Sequence, residues 1–442
     1  MHRNREVVGT KLLRIAEKAR QDRGCKFTSL FHLMNEDLLR ECFEGLRKDA
    51  ASGIDRITKE EYGEHLADNL GSLVGRLHKM SYLPQPVRRV YIPKPGSSKP
   101  RPLGIPALED KLVQAGLVRI LGAIYEADFI EDSYGFRPER GCHDALRALS
   151  LEVETGRIHY IVEADIRGFF DNVQHDWMMK FLEHRIADKR VLRYVKRFLI
   201  AGMLEDGIFV ETEEGTPQGG VISPLLANIY LHYSLDLWLT RSFLGTCEGR
   251  ARLIRYADDF VVCFELKSDA VRFRTELDGR LGKFGLQVAP EKTKVLEFGP
   301  RAESGARKRG EKPESFDFLG FTHFCSRTRD GRRFRMKRTT ARKKFKAKLR
   351  DINVWLKENR TLPTPELLKK VSSKLMGHTA YYGVTDNSVG INRFTYEVRG
   401  LLFKWLNRRG KRGCMSWEKF EKLLRKYPLP RPRIKVNLLT LK

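Results

Sequence analysis

Apolar positions along the chain change their period several times, and each change marks an element. Residues 1–50 carry them at helical spacing, and a second amphipathic stretch spans about 58–79. Between the two, ASGID at 51–55 reads as a turn with Gly53 at the bend. From Tyr82 to Pro106 the run YLPQPVRRVYIPKPGSSKPRPLGIP alternates short β-type runs with prolines, which predicts two extended strands around a basic Gly/Ser loop. Helical pattern resumes with LEDKLVQAGLVRILGAIYEADF. Two segments read as buried strands: IHYIVEADI (158–166) and ARLIRYADDFVVCFE (251–265). The second holds two apolar runs about a short acidic centre, the form of a β-hairpin with Asp258 and Asp259 at its turn. Helices are predicted at about 175–202 and 223–243, with the Gly-rich turn EEGTPQGG between them. Strands and helices alternate without the regularity of βαβ units, which predicts an α+β fold. Further on, GARKRGEK (305–312) reads as a polar loop, FDFLGFTHF (316–324) as a short apolar strand, and 337–427 as mostly helical and basic. Trp355, Trp405 and Trp417 mark apolar faces there. A boundary near 325–335 divides a sheet-containing part from a helical one.

Composition narrows the class. A chain of 442 residues with 41% apolar residues and 10% aromatics can bury a sizeable core divided into two or three subdomains. No apolar run is long enough for a membrane span, and the charged start lacks the pattern of a secretory signal. A cytoplasmic protein without a membrane partner is expected. The seven cysteines are scattered and never spaced as CxxC, so neither a disulfide framework nor a zinc module is indicated. Net charge is +27, and its placement says more than its total. Residues 301–350 hold 18 Lys/Arg against 5 Asp/Glu, and residues 401–442 hold 13 against 2, which leaves the first 300 residues nearly neutral. That split predicts a front part whose acids do chemistry and a rear part that grips phosphates.

The acids in question are Asp165, at the end of one buried strand, and Asp258 with Asp259 at the hairpin tip. Ionised carboxylates beside so much apolar sequence are costly, and together they repel one another. A divalent cation relieves both costs, and carboxylate oxygens with water suit Mg²⁺. An Asp-Asp turn alone is an ordinary surface feature. Here strand flanks it on both sides, and a second strand ends in ADIRGFFDN.

Nine pieces occur in order from about residue 50 to 385: SGID, PVRRVYIPKPGSSKPRPLGIP, YGFRPERGCHDAL, EADIRGFFDNVQHD, EEGTPQGGVISPLLANI, RYADDFVV, LQVAPEKTK, FLGF and GHTAYYG. In that order the chain resembles the group II intron reverse transcriptase/maturase family. The resemblance implies a right-hand polymerase fold with fingers and palm, an antiparallel palm sheet, and a basic helical thumb or maturase X domain. It divides the chain into an N-terminal helical extension at 1–50, fingers and palm at 51–325, thumb at 326–427 and a short basic tail at 428–442. It implies an RNA-directed DNA polymerase that copies RNA with two Mg²⁺ ions, Mn²⁺ being able to substitute, and that assists intron splicing. Its partners would be an RNA template, the RNA/DNA duplex, deoxynucleotides and group II intron RNA.

Site roles carry over by the same resemblance. Asp165 and Asp258 would hold the metals with the backbone carbonyl of Ile166, and Asp259 would assist. Phe170 matches the bulky residue that blocks a nucleotide 2′-hydroxyl, although an aromatic there would equally suit a core. Lys94 and Arg101 match cations on the incoming triphosphate; a solvated basic loop is the plain alternative, and Lys99 could take the register of Arg101. Gln218 and Gly219 would line the nascent base pair, and Lys292 would approach the departing pyrophosphate. Phe318, Leu319 and Gly320 would form the primer grip. Many relatives continue into a DNA-binding domain and an HNH-type endonuclease with paired cysteines. This sequence has neither after its thumb, so a primer supplied from elsewhere is expected. A domesticated reverse transcriptase in antiviral defence or a CRISPR-associated system is the alternative function, and a splicing factor without polymerase activity is disfavoured by the intact acids.

Overall fold

The structure, a computed structural model, describes residues 2–92, 100–205, 208–210, 214–216, 219–409 and 415–439. Four helices open it: α1 (His2–Gln21), α2 (Glu36–Gly45), α3 (Lys59–Glu64) and α4 (Leu66–His78). Asn35 accepts from the Leu38 N–H at 3.0 Å to begin α2, and Thr58 with Glu61 forms a reciprocal capping box at α3. Each satisfies donors that a helix start leaves unpaired. The expected turn at 51–55 needs its glycine, since a Cβ on Gly53 would stand 2.4 Å from Ala107 Cα.

The strands β1 (Val87–Ile92) and β2 (Arg101–Ile105) pair antiparallel, with Val90 opposite Leu103. After α5 (Leu108–Tyr125) and α6 (Cys142–Glu154) comes β3 (Tyr160–Asp165). The helix expected over 175–202 is two, α7 (His175–Glu183) and α8 (Lys189–Leu199), because Asp188 caps the second by accepting from the Arg190 N–H. Short β4 (Met203–Glu205) and β5 (Ile208–Val210) extend the first sheet to the order β2-β1-β4-β5. Next, α9 (Ser223–Leu231) runs on into π-helical turns at His232–Asp236 and Leu239–Phe243.

A second sheet positions the acids. It comprises β3, β6 (Ala251–Tyr256), β7 (Asp259–Phe264) and, after α10 (Lys267–Gly282), β8 (Lys294–Glu297), all antiparallel in the order β6-β7-β3-β8. Alternate residues on a strand face opposite sides. Val162, Ala164, Leu253, Phe260 and Val262 join the largest core, which α5, α9 and α10 complete. Ile161, Ile254, Val261 and Leu296 join a second core with Leu146 and Leu149 of α6. Both faces are covered, so the strands read as near-continuous apolar runs.

Two further stretches differ from the expected pattern. Residues 305–309, expected in a polar loop, belong to α11 (Pro300–Arg309), which starts with proline in its first turn and stops at Gly310 with φ +70°. Residues 337–340, expected as helix, belong to β11 (Phe334–Thr340), which pairs with β10 (Phe321–Arg327), itself paired with β9 (Ser315–Phe318). Arg335 and Lys337 alternate there with Met336, Arg338 and Thr340, which pack inward, and ladder pairing overrides the helical preference of the basic residues. The expected boundary at 325–335 therefore lies inside this sheet. The helical part starts with α12 (Arg342–Glu358) and continues through α13 (Thr364–Tyr382), α14 (Ser388–Leu406) and α15 (Trp417–Lys426). It has its own core, including Leu356, Leu375, Phe394, Leu402 and Trp405. Among the described residues, no helix is long and apolar enough to cross a membrane.

Candidate active site

Strand register brings the acids together. Asp165 is the last residue of β3 and lies directly opposite Asp259, the first residue of β7. Residues opposed in this way share a face, with Cβ atoms about 5 Å apart. Asp258 lies in the two-residue turn between β6 and β7, after Ala257, whose φ is +56°. Gly135 is pressed against that turn, where a Cβ would meet Ala257 N at 2.4 Å. The turn is also held from behind. The Arg255 side chain points to the face opposite Asp259, is wholly buried, and donates to Ala257 O at 3.0 Å. The same guanidinium binds both carboxylate oxygens of Asp236, at 2.8 and 2.5 Å, and Asn228 Oδ1 at 3.0 Å.

The electrostatics match the crowding. Burial, then the charges of Asp258 and Asp165, push the Asp259 carboxyl up to about 7, against the Leu319 N–H and Lys344. Burial and Asp165 also raise Asp258, while its backbone N–H, Arg101 and Arg255 oppose the rise. Two residues before Asp165 on the same face, Glu163 is raised to about 7 by burial and by Asp259. A shift of three units represents roughly 4 kcal/mol against ionisation. Lys292 meets part of this excess negative charge, with Nζ 2.5 Å from Asp165 Oδ2.

The donors fit a hard divalent ion. Asp165 O and Arg167 N–H pair with Ala289 N–H and Gln287 O, both at 2.8 Å, around the bridge of Ile166 to Val288. In that antiparallel arrangement the Ile166 carbonyl points away from residue 288, towards the β7 side where Asp258 sits. Carboxylates whose ionisation is suppressed by one another are relieved by a cation. Among the described residues, however, no three His, Cys, Asp or Glu side chains form a ready-made metal cage. Magnesium commonly takes one or two carboxylates and completes its shell with water and phosphate.

The other expected residues surround this point unevenly. Arg101 opens β2, is exposed, and lies close enough to Asp258 to lower its proton affinity. Lys94 and Gln218 fall outside the described residues. The Gly-rich segment docks through Thr216 N–H on Phe170 O and Gly215 N–H on Val173 O, both at 2.8 Å. Gly219 has φ +111°, and a Cβ there would meet Gly104 O at 2.6 Å, so Gly215 and Thr216 lie against the Phe170 turn and Gly219 against β2. Phe170 is half-buried and packs edge-on against Phe169. Phe318 and Leu319 are core side chains, and it is the backbone of their turn that reaches the site. Leu319 has φ +49° and Gly320 φ +78°; Leu319 N–H donates to Asp259, and Tyr381 Oη donates to Leu319 O at 2.9 Å. Next to this turn, Lys344, Lys348, Lys374, His378 and Tyr382 line a cavity of about 460 Å³. Sequence reading missed Arg255 and Asp236. Each charge was visible, Asp236 within SLDLWL and Arg255 within LIRYA, but no local pattern pairs the two.

The chain matches the family described as "Reverse transcriptase (RNA-dependent DNA polymerase)" over residues 92–323. Protein YkfC of Escherichia coli (strain K12) is 36% identical over 311 residues, 63% of this chain and 77% of that protein. Group II intron-encoded protein LtrA of Lactococcus lactis subsp. cremoris is 38% identical over 222 residues, 50% of this chain and 37% of that protein. Nuclear intron maturase 2, mitochondrial, of Arabidopsis thaliana is 28% identical over 171 residues, 30% of this chain and 23% of that protein. The chain thus spans little more than a third of the length of the Lactococcus relative. With the family match covering over half its residues, this chain belongs to the reverse transcriptase (RNA-dependent DNA polymerase) family and groups with its intron-encoded members.

Proposed function

We propose that the chain is an RNA-directed DNA polymerase that extends a primer along an RNA template and also assists the splicing of a group II intron RNA. The reading rests above all on one observation, the register pair of Asp165 with Asp259 beside the Asp258 turn. In this reading Asp165, Asp258 and the Ile166 carbonyl hold two Mg²⁺ ions, or Mn²⁺ in their place, and Asp259 assists. Divalent ions held there would supply activation of a 3′-hydroxyl and charge neutralisation at the leaving pyrophosphate. Arg101 and Lys94 bind the triphosphate, with Arg101 suited to two-pronged contact. Lys292, already carrying a proton beside Asp165, supplies one to the pyrophosphate. Phe170 excludes a 2′-hydroxyl, and Gln218 and Gly219 flank the new base pair, where the missing Cβ permits close approach. The turn at Phe318, Leu319 and Gly320 seats the primer end. Fingers and palm start at residue 51 and extend through the β9–β10–β11 sheet, and the helices from α12 to residue 427 serve as thumb, with an extension at 1–50 and a tail at 428–442. The setting proposed is the cytoplasm, where RNA and deoxynucleotides are at hand.

Primer extension on an RNA template tests the reading. Deoxynucleotides should be incorporated only with Mg²⁺ or Mn²⁺ and far better than ribonucleotides. Asp258→Asn should lower extension by at least a thousandfold while RNA affinity stays within about twofold. Full extension by that variant would remove the assignment of the site.

A further inference from the structure

On the side of the β6-β7-β3-β8 sheet opposite the three aspartates, behind Arg255 and Asp236, lies a basic cavity of about 320 Å³. Its walls come from residues 23–26, the ends of α5 and α7, and the π-helical turns after α9. Arg185, itself buried, ties the wall together by donating to Asp22 O and Ala19 O at 3.0 and 3.1 Å, and Asp128 Oδ2 stands 3.2 Å from its Nε. That uses the one acid lining the cavity among the described residues. Arg23, Lys26 and Arg241 are exposed on the rim, and the charges of Arg23 and Arg241 reach Asp128 in addition to that of Arg185. At the base, His232 is 3% exposed, and its Nδ1, which makes no hydrogen bond, stands 3.9 Å from Asp236 Oδ2. On the rim, His184 stacks on Tyr233 with centroids 5.1 Å apart, which leaves an aromatic face.

Three neighbouring cations set against a single acid, Asp128, that Arg185 already engages repel one another. One phosphate at the rim offsets that repulsion. We propose that this cavity is a second nucleic-acid site, which binds a backbone phosphate of RNA lying outside the catalytic groove, with the adjoining base on His184. It rests on the reading above only in taking RNA as the polyanion. Burial and the charges of Arg255, Arg241, Arg137 and Arg23 hold His232 down at about 3, so it is neutral and adds no charge at the base.

The test compares two triple variants of the full chain in RNA binding over a salt series. Arg23→Ala/Lys26→Ala/Arg241→Ala should weaken binding of a long structured RNA at least tenfold and reduce the log–log salt slope by about one unit or more. Arg157→Ala/Lys267→Ala/Lys283→Ala, which removes three exposed cations elsewhere, should weaken it less than threefold. Equal losses in the two variants, or no loss in the first, would overturn the site. Primer extension on a short duplex is measured on both proteins, so a failed catalytic reading shows up in wild type independently of the cavity. Labelled His232 resonances report occupancy directly: shifts with RNA support the proposal, and shifts with inorganic phosphate but not with RNA would assign the cavity to free phosphate and overturn it.

Discussion

At Asp259 the fold holds a carboxyl where ionisation is opposed by burial and by two neighbouring acids, which lifts it to about 7. With the folded value raised above the unfolded one, this group's stabilising contribution is fully present below about pH 4. It is lost as pH climbs through about 7, because the native state gives up its proton later than the unfolded chain. A divalent ion reverses that penalty and displaces the proton. Mg²⁺ affinity should therefore rise about tenfold per pH unit from pH 5.5 towards 7, then level, and Asp259→Asn should flatten the profile. Titration calorimetry with Mg²⁺ across that range reads this, and a flat wild-type profile would contradict it. Phe170 makes the other residue-scale prediction. Replacing it by alanine should raise ribonucleotide incorporation relative to deoxynucleotide by ten- to a hundredfold in primer extension; unchanged sugar discrimination would leave the ring only its packing on Phe169.

The β6–β7 hairpin shows what an element adds to its residues. Its turn places Asp258, yet what fixes that turn is Arg255, whose guanidinium joins Ala257 O to Asp236 within the core. Arg255→Met would strand Asp236 and cost about 3–5 kcal/mol. The pair Arg255→Met/Asp236→Leu should recover most of that loss, since an apolar pair can replace a buried ion pair. The turn would still lack its donor, so the double variant should fold, bind RNA normally and extend primers at least tenfold more slowly. Thermal melts with single-turnover kinetics separate the two effects, and full activity would show that the hairpin needs no anchor. The hairpin itself was legible in the sequence from its two apolar runs. Its anchor was not, because nothing local pairs position 255 with position 236 across a sheet and a π-helical turn. The same reason explains β11: only the ladder with β10 makes a Lys- and Arg-rich stretch extended.

Over the whole molecule, the uneven charge of the sequence acquires a shape. Lys344, Lys348 and Lys374 surround the cavity beside the Leu319–Gly320 turn, and Lys344 also reaches the field of Asp259. The fold thereby sets cations from the basic rear of the chain beside acids from its nearly neutral front. Neutralising these three lysines should weaken duplex binding and lower the salt slope by about one unit for each phosphate left without its cation, with little change in the maximal rate at saturating duplex. Binding titrations over a several-fold range of salt concentration check this, and an unaltered slope would mean that the cavity faces solvent.

By itself the sequence determined which residues carry charge inside apolar strands, where the strands of the acids and most helices lie, and that the rear of the chain is basic. These follow from local periodicity and composition, which are properties of neighbours in the chain. Only the tertiary structure decided that Asp165 faces Asp259, that the Phe318–Gly320 turn contributes backbone rather than side chains, and that Arg255 and Asp236 lock together beneath the hairpin. Each depends on register between distant strands, and a shift of one residue would send every side chain to the other face.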